Sequence, residues 1–232
     1  SFTFNGKKLF GYEGDTIASA LIANGIHLVG RSFKYHRPRG FFGAGVEEPN
    51  AKLQVEFNGH SEPNVNATEM ELVEGLSATS QNCWPSVNFD IGAINNFLKM
   101  FFPAGFYYKT FMWPKSFWYK IYEPFIRKAA GLGVASIEKD KERYEHKFEY
   151  CDLLVTGSGP SGLASAYAAA KNGAKVILAE DKPRFGGTLL TDDVSIDNLS
   201  GKDWAEKIIT ELKSMPNVTV KNRSQVFGYY DH

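Results

Sequence analysis

Three glycines in the second half of the chain have the spacing of a dinucleotide-binding turn. Gly157, Gly159 and Gly162 form the pattern G-x-G-x-x-G directly after a short apolar run at residues 153–155. In such a turn the first glycine permits the tight bend, the second lets the backbone approach a pyrophosphate, and the third lets the next helix pack against the sheet. The N-terminus of that helix would present free N–H groups and the positive end of its dipole to the phosphates. We therefore expect a dinucleotide site here.

An acidic residue follows this turn at a position suited to a ribose. Glu180 lies 18 residues after Gly162, at the end of a second apolar run, where a carboxylate can accept both ribose hydroxyl hydrogens of the adenosine half. A 2′-phosphate would meet the same negative charge, so NAD or FAD is favoured over NADP. Further on, the Gly186-Gly187 pair again permits close approach of the backbone. The hydroxyl of Thr188 is placed to donate to a phosphate or a ribose.

The elements around these residues predict the first half of a Rossmann-type FAD/NAD(P)-binding domain over residues 150–232, an α/β architecture. Strands are expected at residues 153–155, 175–179 and 218–220, and helices at residues 163–170 and 202–214. In a doubly wound sheet of this kind, residues 224–227 would lie near the adenine. Three parallel strands form only half of a dinucleotide fold, so we expect the chain to be a piece of a longer one.

The N-terminal residues 1–90 predict an α+β domain, a β-grasp fold of the ferredoxin-like type. Residues 2–12 alternate apolar and polar side chains around an Asn-Gly turn, which is a strong hairpin signal. A helix is expected over residues 16–24, with Asp15 as its N-cap. Two further strands are expected at residues 52–57 and 68–73.

The loop after this helix, residues 30–40, stands where ferredoxins of this fold carry the cysteine ligands of a [2Fe–2S] cluster. It contains no cysteine, and because thiolates are the ligands such a cluster needs, we expect a cysteine-free domain with no iron–sulfur cluster. The loop is basic. Its positive charge suits a site for an anion, and it suits equally well ion pairs with acidic groups of a neighbouring domain or subunit. No second histidine or carboxylate shares the spacing of His36, so we expect this residue to be hydrogen-bonded and structural.

Residues 91–149 connect the two predicted domains and are rich in aromatic side chains. Within them, residues 97–125 carry aromatics interleaved with lysines and interrupted by prolines. Three interpretations are open: a segment at a membrane surface, a site that stacks a flat ligand, or a packing surface between domains or subunits. The prolines prevent one long amphipathic helix, which argues against a membrane, and we favour packing. The charged residues 138–149 predict a solvated helix or a linker.

Composition limits the classes of protein to which the chain can belong. The chain has 232 residues, equal numbers of acidic and basic side chains and no net charge, so it lacks the electrostatic footprint of a nucleic-acid-binding protein. The two cysteines, Cys83 and Cys151, have no metal-ligand spacing and indicate a reducing compartment, which we expect to be cytoplasmic. No apolar run reaches the ~18 residues that indicate a membrane span. No pattern in the sequence predicts a catalytic acid, base or nucleophile, or a metal site.

Four stretches taken together resemble one family. They are GRSFKYHRPRG, PAGFYYKTFMWP, YEPFIRKAAGLG, and GSGPSG with its continuation AEDKPRFGGTL. In this order they resemble the α (large) subunit of heterotetrameric sarcosine oxidase, at its N-terminal part and over essentially the whole chain. The resemblance implies oxidative demethylation of sarcosine to glycine with O2 and tetrahydrofolate. It also implies NAD in the domain found here, FAD and FMN in the complete complex, a folate-binding region beyond this chain's end, and β, γ and δ subunits as partners.

The same resemblance implies which residues contact NAD. Those at the pyrophosphate would be Gly157, Gly159, Pro160, Ser161 and Gly162. Those around the ribose would be Ala179, Glu180 and Asp181, with Gly187 and Thr188 nearby and Val226 against the adenine. The negative charge of Asp181 strengthens the case against NADP. Because the chemistry would take place at flavins elsewhere in the complex, no catalytic residue is expected in this chain.

Two other functions remain open at this point. One is the FAD-binding subunit of a related amine or proline dehydrogenase, with an iron–sulfur relay in its β-grasp domain. The absence of cysteines from residues 30–40 argues against the relay, but the glycine fingerprint serves NAD and FAD alike. The other is a non-catalytic scaffold subunit whose bound nucleotide is structural.

Overall fold

A computed structural model describes residues 1–101, 105, 113–131, 133–139, 143 and 145–230. The chain divides into two compact units, Ser1–Glu142 and Arg143–His232. Each unit has its own sheet and its own buried apolar core. Among the described residues, no helix is both long enough and apolar enough to cross a membrane.

The first unit contains a mixed five-stranded sheet with a helix packed on it. The strands of the whole unit, inside and outside this sheet, are β1 (Phe2–Phe4), β2 (Lys7–Leu9), β3 (Gly30–Arg31), β4 (Pro38–Arg39), β5 (Lys52–Phe57), β6 (His60–Asn66) and β7 (Ser77–Ser80). Its α-helices are α1 (Ile17–Ala23) and α2 (Glu123–Ala130). The sheet has the order β2-β1-β7-β5-β6; β1 and β7 run parallel and the other neighbours antiparallel. One face of α1, with Ile17, Ala20 and Leu21 fully buried, packs into the same apolar cluster as Phe2 and Leu53 of the sheet. A mixed sheet with such a helix fits the predicted ferredoxin-like domain.

Two Asn-Gly turns set the hairpins of this sheet. The hairpin predicted at the N-terminus is confirmed, since Asn5 and Gly6 both have positive φ, +50° and +77°, and join β1 to β2. Asn58 and Gly59 have the same conformation, with φ of +51° and +78°, and join β5 to β6. The second pair carries the same local signal as the first, and it produces the same kind of turn.

The strand predicted at residues 68–73 is wrong. That segment forms turns, and its backbone bonds go to the start of α1: Ile17 N donates to the Met70 carbonyl at 3.0 Å and Leu72 N donates to the Asp15 carbonyl at 2.8 Å. The first N–H groups of a helix lack intrahelical partners, and this segment supplies a partner for one of them. The central strand of the sheet is β7, and residues 68–73 take no part in the sheet.

The N-cap of α1 is one residue later than predicted. Thr16 Oγ1 accepts from Ser19 N at 3.2 Å, and Ser19 Oγ accepts from Thr16 N at 2.9 Å, which is a reciprocal capping box. Asp15 supports this box from outside, because its Oδ1 accepts from the Ser19 hydroxyl at 2.8 Å. Capping by Asp15 itself is therefore wrong, although the predicted start of the helix is right to within a residue.

A buried carboxylate organises the glycine-rich loop that precedes β5. Glu48 is only 2% exposed. Its Oε2 accepts from the backbone N–H groups of Phe42 and Gly43 at 2.5 and 2.6 Å, and its Oε1 accepts from those of Asn50 and Ala51 at 2.7 and 3.2 Å. Burial of a charge is costly unless hydrogen bonds compensate it, and here four backbone donors do so. The loop on both sides of Glu48 is therefore fixed by one side chain.

The basic loop at residues 30–40 is tied to its own unit. Arg31 donates through Nε to the Val87 carbonyl at 2.9 Å and through Nη1 to the His36 carbonyl at 3.1 Å. His36 Nδ1 lies 2.6 Å from Asp90 Oδ2, and both residues are buried. The expectation that His36 is hydrogen-bonded is confirmed, and its structural role stays a prediction. The two interpretations of the loop's positive charge stay predictions.

The aromatic segment breaks into short helical pieces, as its prolines predict. Its described part contains 3-10 turns at Lys99–Phe101 and Lys115–Phe117 and a π-helical turn at Trp118–Tyr122 that leads into α2. The side chains of Phe97, Met100, Trp113 and Tyr119 are all more than 80% exposed. The predicted packing role therefore stays a prediction. Residues 102–104 and 106–112 of this segment, and residues 140–142 and 144 of the predicted linker, lie outside the described residues.

The second unit is a three-stranded parallel sheet with two helices. Its elements are β8 (Leu153–Thr156), α3 (Pro160–Lys171), β9 (Val176–Ala179), β10 (Ser195–Ile196), β11 (Leu199–Ser200), α4 (Gly201–Ser214) and β12 (Val218–Lys221). The sheet order is β12-β9-β8, with both pairs parallel. Leu163, Leu178, Ile208 and Leu212 join the two helices to the sheet in one core. The parallel sheet fits the predicted half of a dinucleotide fold, and each predicted helix and strand of this unit is present.

We predict that Glu48→Gln destabilises the first unit at neutral pH. A glutamine can accept with one oxygen only and turns its NH2 group toward two backbone donors, so the expected loss is about 1–3 kcal/mol in the free energy of unfolding. Urea unfolding measures this loss. Glu47→Gln is the matched control, because Glu47 also accepts from backbone N–H groups, those of Ala44 and Gly45 among them, but is exposed to solvent. Equal losses in the two variants would contradict the role given to Glu48.

The loss should also depend on pH. Burial alone raises the pKa of Glu48, but the N–H donors of Gly43, Phe42, Asn50 and Ala51 outweigh it, and the pKa lies below its ordinary value of 4.5. A lowered folded-state pKa stabilises the fold above the pKa of the unfolded chain, and this stabilisation disappears as the pH falls through the folded-state pKa. The difference in stability between the unsubstituted protein and Glu48→Gln should thus be full at pH 7 and shrink below about pH 4.5.

Candidate nucleotide-binding site

The turn between β8 and α3 has the geometry that its three glycines predict. Gly157 has a φ of +89°, a conformation that L-residues with side chains rarely adopt, and its N–H donates to the Ala179 carbonyl at 2.8 Å. Gly159 is the N-cap of α3, has extended ψ, and supplies no side-chain cap. Pro160 occupies the first helical position, where a missing N–H costs least. The first-turn N–H groups have no intrahelical partners, so this end of α3 is suited to an anion.

The second and third glycines have opposite surroundings. A Cβ atom at Gly162 would lie 2.1 Å from the carbonyl oxygen of Gly157, which is backbone and cannot move aside. A Cβ atom at Gly159 would meet nothing within 4 Å. Gly162 is thus required for packing of the helix against the turn. Gly159 leaves open space beside the helix N-terminus, where a phosphate could approach the backbone.

The second glycine pair lies against this turn. A Cβ atom at Gly187 would come within 3.0 Å of Gly159 Cα, and the φ of Gly187 is +54°. Gly186 has a φ of +126°, and its N–H donates to the Ser158 carbonyl and to Ser158 Oγ, both at 3.1 Å. Two loops that are far apart in sequence are therefore in backbone contact at the predicted pyrophosphate position.

The carboxylate of Glu180 is buried at the end of β9, with only 5% of the residue exposed. Its Oε2 accepts from Ser158 N at 2.8 Å and from Ser158 Oγ at 2.5 Å. Its Oε1 accepts from Lys182 N at 3.0 Å. The backbone of Glu180 continues into the third strand, since its N–H donates to the Lys221 carbonyl at 2.8 Å. Glu180 therefore connects the strand ends to the glycine turn.

Ser158 is a residue of the candidate site that the sequence pattern did not reveal. It is fully buried and bonds both to Glu180 and to Gly186. It stands at a variable position of the fingerprint, so its spacing carries no signal. A small hydroxyl residue between the first two glycines, with an acid at the strand end, was the only available hint.

The other predicted residues differ in how closely they join this site. Ala179 is buried, and its carbonyl holds Gly157 in place; Ser161 is exposed on the first turn of α3. Thr188 is exposed in the 3-10 turn Gly187–Leu190, next to the second glycine pair. Val226 is half-buried in an irregular segment beyond β12. Within the described part of the chain, no backbone hydrogen bond joins Val226 to the glycine turn, so its place against the adenine stays a prediction.

Asp181 lies at the rim of the site. Its side chain is 57% exposed and is paired with the Lys182 ammonium at 3.4 Å. Partial burial raises the pKa of Asp181, but hydrogen bonding with Glu180 and the charge of Lys182 outweigh it and hold the pKa below its ordinary value. Asp181 is thus ionised at neutral pH and places a negative charge at the rim of the site.

Two family models match the chain. Residues 152–220 match "FAD dependent oxidoreductase", and residues 1–83 match "2Fe-2S iron-sulfur cluster binding domain". The second match overturns the expectation of a domain without an iron–sulfur cluster, because the domain is of the iron–sulfur type. That expectation relied on ligand counting in one loop, whereas domain type follows from the sheet and its core. The description of residues 1–90 as cysteine-free is also wrong, since Cys83 lies within them.

The residues of this chain do not by themselves fit a cluster held by four cysteine thiolates. The sequence has two cysteines, and only Cys83 belongs to the first unit. Its thiol faces the Ser80 carbonyl at 3.9 Å, and burial together with the charge of Asp90 raises the pKa of this thiol. A raised pKa disfavours the thiolate that a metal requires. We therefore derive no chemical step through a cluster.

Curated relatives match the chain over its whole length. The chain is 57% identical over 231 residues to "Sarcosine oxidase subunit alpha" of Rhizobium meliloti (strain 1021) and 32% identical over 235 residues to the protein of the same name from Corynebacterium sp. (strain U-96). Both alignments cover 100% of this chain, but only 23% and 19% of the relatives. The solved structure of L-proline dehydrogenase from P.horikoshii is similar to this chain, with a TM-score of 0.52 and 18% sequence identity. The alignment covers 96% of this chain and 32% of the dehydrogenase chain, and at this identity it shows a likeness of fold alone. The resemblance found in the sequence is confirmed: over its full length the chain is similar to part of the α subunit of sarcosine oxidase.

Proposed function

We propose that the second unit binds an adenine dinucleotide and that the chain is the nucleotide-binding part of the α subunit of a sarcosine oxidase complex. The supporting observation is the convergence of three elements on one space. The open side of Gly159, the N-terminus of α3 and the loop at Gly187 all adjoin it. Backbone N–H groups at a helix N-terminus suit the pyrophosphate, and Glu180 lies at the adjoining strand end to receive the ribose.

NAD is the ligand that the family resemblance implies. FAD is the second candidate, favoured by the match of residues 152–220 to FAD-dependent oxidoreductases. Both ligands share an ADP half, and every residue assigned here would contact that half. The acidic side chains of Glu180 and Asp181 disfavour a 2′-phosphate, because like charges repel each other. NADP is therefore not the proposed ligand.

The proposed reaction of the whole complex is oxidative demethylation of sarcosine to glycine with O2 and tetrahydrofolate. When bound, the flavins of the complex would accept the electrons of the amine C–H bond. The residues of this chain would bind and orient a nucleotide, and we assign none of them a catalytic step. The relatives are named as subunits, and we propose further subunits (β, γ and δ) as partners, with the exposed aromatic side chains of residues 97–125 as one surface that packs against other protein.

Release and identification of the bound nucleotide tests this proposal directly. The intact protein is purified, denatured, and its supernatant analysed by absorbance and mass spectrometry. We expect one equivalent of NAD for this site, beside the flavins of the complex. A Glu180→Ala form that loses the same nucleotide would assign it to this site. FAD lost from Glu180→Ala would favour the second candidate, and retention of every nucleotide would contradict a dinucleotide site here.

Two glycine substitutions separate binding from packing. Gly159→Ala places a methyl group in open space, so the free energy of unfolding should fall by less than about 1 kcal/mol, while nucleotide affinity falls at least about tenfold. Gly162→Ala drives a methyl group into the Gly157 carbonyl, so unfolding should become easier by about 1–3 kcal/mol. Isothermal titration with the nucleotide and urea unfolding measure the two effects. Unchanged affinity in Gly159→Ala would contradict the proposed position of the pyrophosphate.

A further inference from the structure

Two segments of the first unit, residues 30–40 and residues 84–96, lie side by side and form one surface, which we call the basic face. The His36 ring packs against Gly92, where a Cβ atom would come within 2.3 Å of the imidazole. Hydrogen bonds join the two segments, among them those between Arg31 Nε and the Val87 carbonyl (2.9 Å), His36 Nδ1 and Asp90 Oδ2 (2.6 Å), and Asn95 Nδ2 and the Lys34 carbonyl (3.3 Å). The shape of the basic face is therefore fixed by contacts within the first unit.

The exposed charge of the basic face is positive. Residues 30–40 contain four lysine and arginine residues and no acidic residue. The one acidic residue among residues 84–96 is Asp90, which is only 8% exposed. Within the part of the chain that the structure describes, neither Arg37 nor Arg39 forms an ion pair with a carboxylate. The whole chain has no net charge, so this face is a local concentration of positive charge.

The guanidinium of Arg37 is held in place although Arg37 is exposed. Its Nε donates to Asn96 Oδ1 at 3.0 Å, and its Cζ lies 4.8 Å from the centre of the Tyr35 ring. Neither contact uses the N–H groups of the two Nη atoms, and these form the fork that binds a carboxylate through two parallel hydrogen bonds. A side chain that is oriented before binding loses less conformational entropy when a partner arrives. Arg37 is therefore suited to bind an acidic side chain.

Large apolar side chains surround these cations. Those of the basic face that are at least half exposed are Phe33, Trp84, Phe89, Ile91 and Ile94. Aromatic residues and arginine are enriched in protein–protein interfaces and carry much of their binding energy. A small anion bound at Arg37 would leave these apolar side chains in water. The composition of the face thus favours a macromolecular partner over a free anion.

The charge of the face also limits which macromolecule can cover it. A two-fold contact with a second copy of this chain would place the same patch on both sides of the interface, and the opposed cations would repel each other. Peripheral membrane binding commonly uses an amphipathic α-helix, whereas residues 84–96 contain only the short 3-10 helix Ile91–Asn96. A different protein with carboxylates set among apolar side chains complements both the charge and the exposed apolar area.

We propose that the basic face docks onto an acidic surface of another subunit, and that Arg37 binds a carboxylate of that subunit. The proposal rests on the proposed function, because further subunits are part of it. It adds a second docking surface to the exposed aromatic side chains of residues 97–125, and it gives the chemistry of the partner. The positive charge of the loop is thereby assigned to ion pairs across a subunit interface.

Arginine-to-lysine substitution tests the role of the guanidinium fork. The intact complex is purified with each variant, and the dissociation constant of its subunits is measured by analytical ultracentrifugation over a dilution series. Arg37→Lys keeps the charge but loses the planar fork, so the dissociation constant should rise at least about tenfold. Arg127→Lys is the matched control, because Arg127 is exposed and its guanidinium is already paired with Glu123 at 3.1 Å. An unchanged constant in Arg37→Lys, or an equal rise in both variants, would overturn the proposal.

A second variant covers the case in which Arg37→Lys loosens its own loop. Phe89→Ser removes an exposed apolar side chain of the same face, and we expect it to weaken subunit association about tenfold. Phe10→Ser is its matched control, because Phe10 lies outside the basic face and is equally exposed, at 68% against 69% for Phe89. Association that is unchanged in Phe89→Ser, or weakened equally in Phe10→Ser, would overturn the proposal.

Two further outcomes separate this inference from its alternatives. Sedimentation of the intact complex with phosphatidylserine vesicles that is lost in a charge-reversed Arg37→Glu variant, while its subunits stay associated, would overturn the proposal in favour of a membrane surface. An intact protein that contains no other subunit would overturn the proposed function and this inference with it. Unchanged association in the variants would overturn this inference alone. The nucleotide content should be the same in all variants, because each substitution lies in the first unit.

Discussion

The buried carboxylate of Glu180 is the constraint on which the second unit depends. A charge removed from water must be compensated by hydrogen bonds, and Glu180 can find its donors only if the glycine turn and the residues after β9 lie where they do. The glycine turn is also fixed by the packing of Gly162, because a Cβ atom at that position would have no room. Electrostatics and close packing thus specify the same geometry, and the open space at Gly159 is what remains for a ligand.

The first unit uses the same physical solution in another fold. Glu48 is buried and accepts from four backbone N–H groups of a glycine-rich loop, as Glu180 accepts from the backbone of its own loops. Loops are otherwise the least constrained parts of a domain. One acidic side chain in each case accepts the backbone hydrogen bonds that a regular strand or helix would otherwise provide.

The match of residues 1–83 to an iron–sulfur family illustrates how domain type and ligand chemistry are set by different residues. The type depends on the pattern of apolar residues that build β1, β5, β7 and α1 around a common core. The ligand chemistry depends on a few thiols, which can change without loss of that core. Counting cysteines in one loop was therefore a poor guide to the class of the domain, and sheet order was a better one.

Turn conformation and helix packing depend on residues that are close in the chain. Local patterns were therefore sufficient to predict the first hairpin, both helices and the three parallel strands of the second unit, and the part that Gly157 and Gly162 play in the turn. Contacts between distant residues could be found only in the folded chain. Folding brought Gly187 against Gly159, His36 to Asp90 and Ser158 to Glu180, and it placed residues 68–73 at the start of α1 instead of in the sheet. The hydrogen bonds of Ser158 with Glu180 and of His36 with Asp90 join positions 22 and 54 residues apart, and no periodicity encodes which distant donor will meet a buried acceptor.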